Sequence, residues 1–335
     1  MFDIDDEYDI PSSEKVYLSN LGNIDVAMPT NGGKLQSDGT WLQEPWKIDP
    51  PWPQSLPEVA RNAGQLYIPI VNNDRIGYLA VLDDPALQSA AADRLVELAT
   101  VGRFDSPWDG ILLDFESTPP SYREQLIDFY YLLFERLEPT NLPVGISVSG
   151  RTSNTGTHDF SVIAELAAFV DLRCYGYTSP PPKSIGPFWW LEECIRYALE
   201  KNIKPDRLKL GVGNFSKYWP DSNQYDFIEI THASAIQILE ANNEDLMWID
   251  TLGDAHWASY IREWYAKIGK GHIWVHDHMT YQYGLDLISK YKIGGLSHFA
   301  AGMGDLQHWE NIKNWRAEVE GKRPFKSRSI FGTTG

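Results

Sequence analysis

WDGILLDFES, residues 108–117, is the stretch that decides how this chain folds. Ile111, Leu112 and Leu113 form an apolar run that ends in two acids, Asp114 and Glu116, two positions apart. A short continuous run of this kind, closed off by Gly110 and Ser117, predicts a strand buried on both faces in a parallel sheet. Side chains alternate along a strand, so Leu112, Asp114 and Glu116 share one face and Ile111, Leu113 and Phe115 share the other. Both carboxylates therefore point the same way at the carboxyl end of the strand. Two acids this close do not both stay ionised, and one carboxyl held protonated is what general acid catalysis requires. The competing structural role is a pair of strand-end acids that cap the next helix or bind an arginine.

The alternation of short apolar strands with longer helical stretches continues on both sides of this segment. Strands are expected at 15–20 (KVYLSN), 23–29 (NIDVAMP), 65–72 (QLYIPIVN) and 110–116 (GILLDFE). Four more are expected at 143–150 (PVGISVSG), 170–177 (VDLRCYGY), 208–215 (LKLGVGNF) and 294–302 (GGLSHFAAG). Eight is the number that a closed barrel needs, so the expected fold class is α/β, a (β/α)8 TIM barrel. Barrel enzymes hold their chemistry at the carboxyl ends of the strands, where Asp114 and Glu116 stand. Helical stripes fall between the strands: Leu126, Phe129, Leu133 and Leu137 in 121–138, then Leu191, Ile195 and Leu199 in 189–202. Residues 216–280 are too many for one βα connection and hold strand-like DFIEI, DLMWID and GHIWVHDH around a helix, HASAIQILEA. They predict a small α+β insertion between strands seven and eight. The expected organisation is a single barrel domain over 1–320, followed by a flexible basic tail, 321–335, that begins GKRPFKSRS.

The chain carries 46 acidic against 29 basic residues, a formal charge of −17. A field of that sign repels polyanions, so nucleic acid and anionic membranes are unfavourable partners and a neutral substrate is favourable. The 13 Trp and 17 Tyr suit binding of sugar rings, whose C–H faces pack on flat aromatic surfaces, although core packing claims most of them. Two cysteines, Cys174 and Cys194, make neither a disulfide framework nor a metal-type CxxC. The N-terminal MFDIDDEYDIPSSEK is acidic and lacks an apolar core, and no run is long enough to cross a membrane. The expectation is a chain without signal peptide or membrane span, cytoplasmic or released by another route.

DGILLDFE (109–116) resembles the strand-four signature of glycoside hydrolase family 18, DxxDxDxE. It is most like the bacterial spore-cortex-lytic and LysM-associated branch, where DGVNIDFE is usual. DLRCYGY (171–177) occupies the place of the family's strand-six Met-x-Tyr-Asp motif. Residues 184–215, from SIGPFWWLEECIRYAL to LKLGVGNF, read like that branch's proline-rich loop, helix and seventh strand. Residues 272–302 look like its final strand–helix–strand unit. The resemblance runs from about residue 60 to about residue 315. It implies substrate-assisted, retaining hydrolysis of a β-linked N-acetylhexosamine, an exception to the usual two-carboxylate scheme. Glu116 matches the general acid, Asp114 the residue that orients the substrate's acetamido N–H, and Tyr175 the tyrosine that holds the acetamido oxygen. The resemblance calls for no metal and no nucleotide. Peptidoglycan is the preferred glycan, with chitin next.

Four positions depart from the family pattern. Leu112 stands where this branch carries Asn, and Gly176 replaces the acid of the Tyr-Asp pair. Phe299 replaces the tryptophan beneath the reacting sugar and keeps a smaller stacking face. Arg173 replaces the strand-six Met. It would pair with Asp114 or Glu116 and suppress proton delivery, bind a carboxylate on the substrate such as the lactyl group of muramic acid, or merely neutralise buried acids. Asn72 and Asn73 end a strand at the catalytic mouth and suit sugar hydroxyls or an ordinary turn. Asn214 and Trp219, after strand seven, lie where the family lines its subsites, Trp219 as a stacking face. His276 and His278 would share a strand face, which alone is weak evidence for a metal. The rival to an enzyme is a barrel of the same kind that binds glycan without cutting it. Such lectin-like relatives commonly lack the catalytic glutamate, and Glu116 is present.

Overall fold

A computed structural model describes residues 13–42, 56–101, 107–177, 184–220, 227–251 and 260–322. The expected tail beyond 322 and the acidic N-terminal stretch before 13 lie outside the described residues. The chain divides into two compact units. Among the described residues one comprises 24–171 and 197–209, and the other comprises 13–23, 172–196 and 210–322.

The segment expected as the first strand is instead a helix, α1 (Ser13–Ser19). Val16 and Tyr17 are buried on it while Leu18 is exposed. The Asn20 amide closes the last turn on the Val16 carbonyl at 2.8 Å.

In the first unit the strands are β1 (Val26–Ala27), β2 (Gly33–Leu35), β3 (Trp41–Leu42), β4 (Leu66–Tyr67) and β5 (Ile70–Asn73). They continue with β6 (Ile111–Asp114), β7 (Val144–Ser149) and β8 (Phe169–Arg173), the last crossing into the second unit. The helices are α2 (Leu56–Asn62), α3 (Leu79–Leu82), α4 (Pro85–Val101), α5 (Arg123–Leu137) and α6 (Phe160–Leu166). The single strand expected at 65–72 is two, because Pro69 has no N–H to give a ladder. β4 pairs with β1 and β5 with β2, both parallel. β6 lies between β5 and β7, parallel to each. The apolar run of β6 is buried on both faces, as a strand covered on both sides must be. Leu112 packs with Ile68 and Phe169. A side chain at Gly145 would run into the Phe169 ring, so the glycine is what admits it. On the opposite face Phe115 is the hub of an aromatic cluster, with Trp41, Tyr78, Phe129 and Tyr130 centroids 5.8–6.5 Å away.

In the second unit α7 (Phe188–Glu200) precedes β9 (Leu208–Gly213), and both straddle the boundary between units. A five-stranded antiparallel sheet follows, made of β10 (Ser216–Trp219), β11 (Ile228–Ile230), β12 (Met247–Thr251), β13 (Tyr260–Ile268) and β14 (Gly271–Val275). Its order is β11-β10-β14-β13-β12, and α8 (His232–Asn242) sets Ala235 and Leu239 against Ala266, Ile268, Ile273 and Val275. The chain closes with α9 (His278–Tyr291), β15 (Gly295–Phe299) and α10 (His308–Lys322). The larger, eight-stranded sheet runs β15-β9-β8-β7-β6-β5-β2-β3. The result is a mixed α/β fold with a parallel-stranded sheet and helices between the strands. Among the described residues no helix is long and apolar enough to cross a membrane.

Candidate functional site

β6 ends at Asp114, and Asp114 stands in register with Asn72 of β5. Asn72 is half-buried, and its Oδ1 is buried without a hydrogen-bond partner among the described residues, an acceptor beside the acid. Glu116 lies two residues beyond the strand. Its N–H donates to Asn73 Oδ1 at 3.0 Å, and its carbonyl accepts from Asn73 Nδ2 at 2.8 Å. Asn73 thus spends its carbonyl oxygen and one amide hydrogen on the Glu116 main chain. Ser117 then turns left-handed, at φ 57°. Thr118 is buried and tied by the hydroxyls of Tyr78 and Thr157.

One buried acid escaped the sequence reading. Asp171, on β8, is 6% exposed and accepts from the Ser147 hydroxyl at 2.9 Å. Its spacing from Arg173, two positions on along the strand, was the available signal. Asp171 and Arg173 share a strand face by that alternation.

In the second unit Tyr175 stacks on Phe299 with ring centroids 5.6 Å apart and an interplanar angle of 12°. Phe215 meets both edge-on, at 5.7 Å and 6.2 Å. Phe299 is 36% exposed, and its peptide to Ala300 is cis. Lys217 lies beneath this group, 2% exposed, with Nζ donating to the Tyr175 carbonyl at 3.4 Å and 4.6 Å from the Phe227 ring centre. Burial pulls its ammonium down to about 8, against the opposing pull of Glu229 and Glu263.

Two of the residues expected to meet sugar lie deep in the protein. Asn214 is 2% exposed and spends both amide hydrogens inside, on the Ala300 carbonyl at 2.7 Å and His298 Nε2 at 2.9 Å. It holds the Phe299 turn, and its own N–H donates to the Phe299 carbonyl. Trp219 is also 2% exposed and packs with Phe215, Ile261 and Trp274, so neither ring face is open to a sugar.

The two histidines weighed for a metal have protein partners. His276 Nε2 bonds Glu263 Oε1 at 2.9 Å and Nδ1 bonds the Gly213 carbonyl at 2.9 Å. His278 is not on the strand; it opens α9 and bonds Asp305 Oδ2 at 2.6 Å. Among the described residues no group of three or more His, Cys, Asp or Glu is placed to hold a metal ion.

No protein-family model matches the chain. Among curated proteins it is similar to the cortical fragment-lytic enzyme of Bacillus subtilis, 23% identical over 248 residues, which covers 71% of this chain and 55% of that protein. The chain thus spans about half the length of that relative. Among solved structures it resembles the spore cortex-lytic enzyme SleL of Bacillus megaterium. The TM-score is 0.74 at 19% identity, over 91% of this chain and 70% of that one. It also resembles a class V chitinase of Pseudomonas fluorescens, with TM-score 0.76 and 18% identity over 91% and 96% of the two chains. At those identities the structural likeness establishes the fold alone. The chain is thus similar in sequence to a cortical fragment-lytic enzyme and in fold to a spore cortex-lytic enzyme and a class V chitinase.

Proposed function

We propose that the chain is a glycoside hydrolase that cuts β-linkages in an N-acetylglucosamine-containing glycan, on strands arranged as a (β/α)8 barrel. The observation that carries this reading is Glu116, held by its main chain just past the end of β6, two residues after Asp114. Glu116 protonates the glycosidic oxygen as its bond to the anomeric carbon breaks. The substrate's acetamido oxygen attacks that carbon from the other side and closes an oxazolinium ring. Asp114 accepts the acetamido N–H and offsets the positive charge, and the Tyr175 hydroxyl holds the acetamido oxygen. The Glu116 carboxylate then takes a proton from water, which opens the ring with net retention. Asn72 supports the reading, because a buried carbonyl oxygen beside Asp114 is an acceptor for a sugar N–H or O–H. Phe299 offers a partly exposed ring on which a pyranose stacks. Peptidoglycan is the preferred substrate, supported by the cortex-lytic relatives and by Arg173, whose guanidinium suits the lactyl carboxylate of muramic acid.

A second reading is favoured by Leu112, which is 1% exposed and wholly apolar beside Asp114 on its own strand. Without a polar neighbour there, the chain would bind such glycans and not cut them. One experiment separates the two. Purified peptidoglycan and chitin oligosaccharides are incubated with the protein and with Glu116→Gln, and the products are read by mass spectrometry. Loss of the general acid is expected to lower turnover by about 10²–10⁴-fold and leave binding intact. Fragments released equally by the variant remove Glu116 from its role; intact glycan in every arm, with binding retained, establishes the lectin-like reading.

A further inference from the structure

Glu116 has left the sheet. β6 stops at Asp114, and by residue 117 the backbone has turned into the left-handed region, at φ 57° on a non-glycine residue. Such a conformation is strained and persists only where the surroundings hold it. The Asn73 side chain holds the main chain at 116. Asn73 accepts the Glu116 N–H at 3.0 Å and donates to the Glu116 carbonyl at 2.8 Å, so one amide supplies both bonds that a neighbouring strand would give. Asn73 is 5% exposed, which keeps water from competing for the same groups. Two residues on, Thr118 is pinned in turn, since its hydroxyl meets Tyr78 Oη and its carbonyl accepts from Thr157.

We infer that Asn73 is a positioning residue that sets the direction of the Glu116 carboxyl by fixing its main chain, without touching the glycan. The inference rests on the reading of Glu116 as proton donor. The chemistry is specific to asparagine. Aspartate still accepts the N–H but turns a repelling oxygen to the Glu116 carbonyl, and alanine leaves both backbone groups unpaired.

The test uses the full chain with Asn73→Ala and Asn73→Asp, read by amide hydrogen exchange at Glu116 and by steady-state turnover of peptidoglycan fragments. In Asn73→Ala the Glu116 amide is expected to lose about tenfold or more of its protection while Leu113 and Ile146 keep theirs. The value of kcat is expected to fall by about 10–100-fold with KM changed by less than about threefold, because a displaced acid misses its target without weakening binding. Asn73→Asp, which keeps one of the two bonds, is expected to fall between wild type and Asn73→Ala, and it carries the test alone if the alanine variant does not fold. Unchanged protection at Glu116 overturns the clamp. Lost protection with unchanged kcat, or a rise in KM alone, overturns the positioning role. A wild-type chain without turnover on any glycan removes the hydrolase reading, while the exchange measurement still decides whether Asn73 holds Glu116.

Discussion

A guanidinium stays charged at every pH a protein meets, so Arg173 acts through position alone: it offsets the acids around it or meets an anion on the substrate. The two roles differ in what removal does. If Arg173 reads a lactyl carboxylate, Arg173→Met loses a charge-assisted bond of about 1.5–3 kcal/mol on that substrate only. The expected outcome is about a 10–100-fold fall in kcat/KM for muramic-acid-containing glycan and less than about a threefold change for chitin oligomers, measured side by side. Equal losses on both would return Arg173 to charge balance. At this scale the sequence was informative where a local period sufficed. Asp114 and Leu112 share a face because strands alternate, and the packing of Leu112 against Ile68 and Phe169 follows that rule. The depth of Asn214 and Trp219 was illegible because nothing local reports it. Asn214 follows the end of β9 and Trp219 ends β10, and each is buried by residues distant in sequence, His298 and Ala300 for one, Ile261 and Trp274 for the other. The Asn73 clamp was illegible for the same reason, since its partner is 43 residues away.

Among the elements, α9 shows how an insertion sheet and a helix start are joined by one carboxylate. Asp277 caps the helix, with Oδ1 accepting from Met279 N–H at 2.9 Å and Thr280 N–H at 3.0 Å. Its second oxygen accepts from Trp264 Nε1 at 2.7 Å, on β13. Asp277→Ala removes the cap, a loss of about 1 kcal/mol, and leaves the indole N–H without its acceptor, about 1 kcal/mol more. A fall of about 2 kcal/mol in unfolding free energy is expected, with Asp277→Asn losing roughly half of it; equal stability of all three proteins would show that the cap carries nothing. The Asp before His278 was visible in HDHMTYQYGLDL as a helix start, but HDH was read as strand, which put His278 on the wrong element. KVYLSN failed in the opposite direction. Its apolar residues fit either period over six positions, and the helix is decided by what Val16 and Tyr17 pack on. β2 and β3 are three and two residues long, too brief to show any period, although Asp38-Gly39 marks their hairpin turn, with Gly39 at φ 79°.

At the level of the whole molecule, stability is set against pH by histidines that titrate in opposite directions. Burial holds His298 well below the ordinary histidine value and takes His308 down to about 4. The geometry agrees: His308 Nδ1 donates to the Asp305 carbonyl, its Nε2 is buried without a partner among the described residues, and His298 Nε2 already accepts from Asn214. A proton added to either Nε2 has nowhere to bond. Because these folded-state values are depressed, the unfolded chain takes up protons that the folded chain refuses. Stability is then full above about pH 6.5 and is lost as pH falls towards 4, by about 3 kcal/mol for His308 alone. His276 runs the other way. Burial pushes it down, but the Glu263 carboxylate outweighs burial and leaves it above the ordinary value, so its contribution is complete below about pH 6.5 and disappears as pH rises through the raised value. The melting temperature is therefore expected to peak near neutral pH and to fall on both sides, and the two limbs have different owners. In calorimetric scans from pH 4.5 to 9, His308→Phe, which keeps a ring against Trp309 and Tyr281, should flatten the acid limb only. His276→Gln should lower the maximum, because it leaves Glu263 as a buried carboxylate held by the Ile185 and Gly186 N–H groups, and should flatten the alkaline limb. Parent-like slopes in both variants would show that neither His308 nor His276 sets the pH dependence, because relief of the repulsion within a chain of charge −17 raises stability on the acid side and cannot produce that limb.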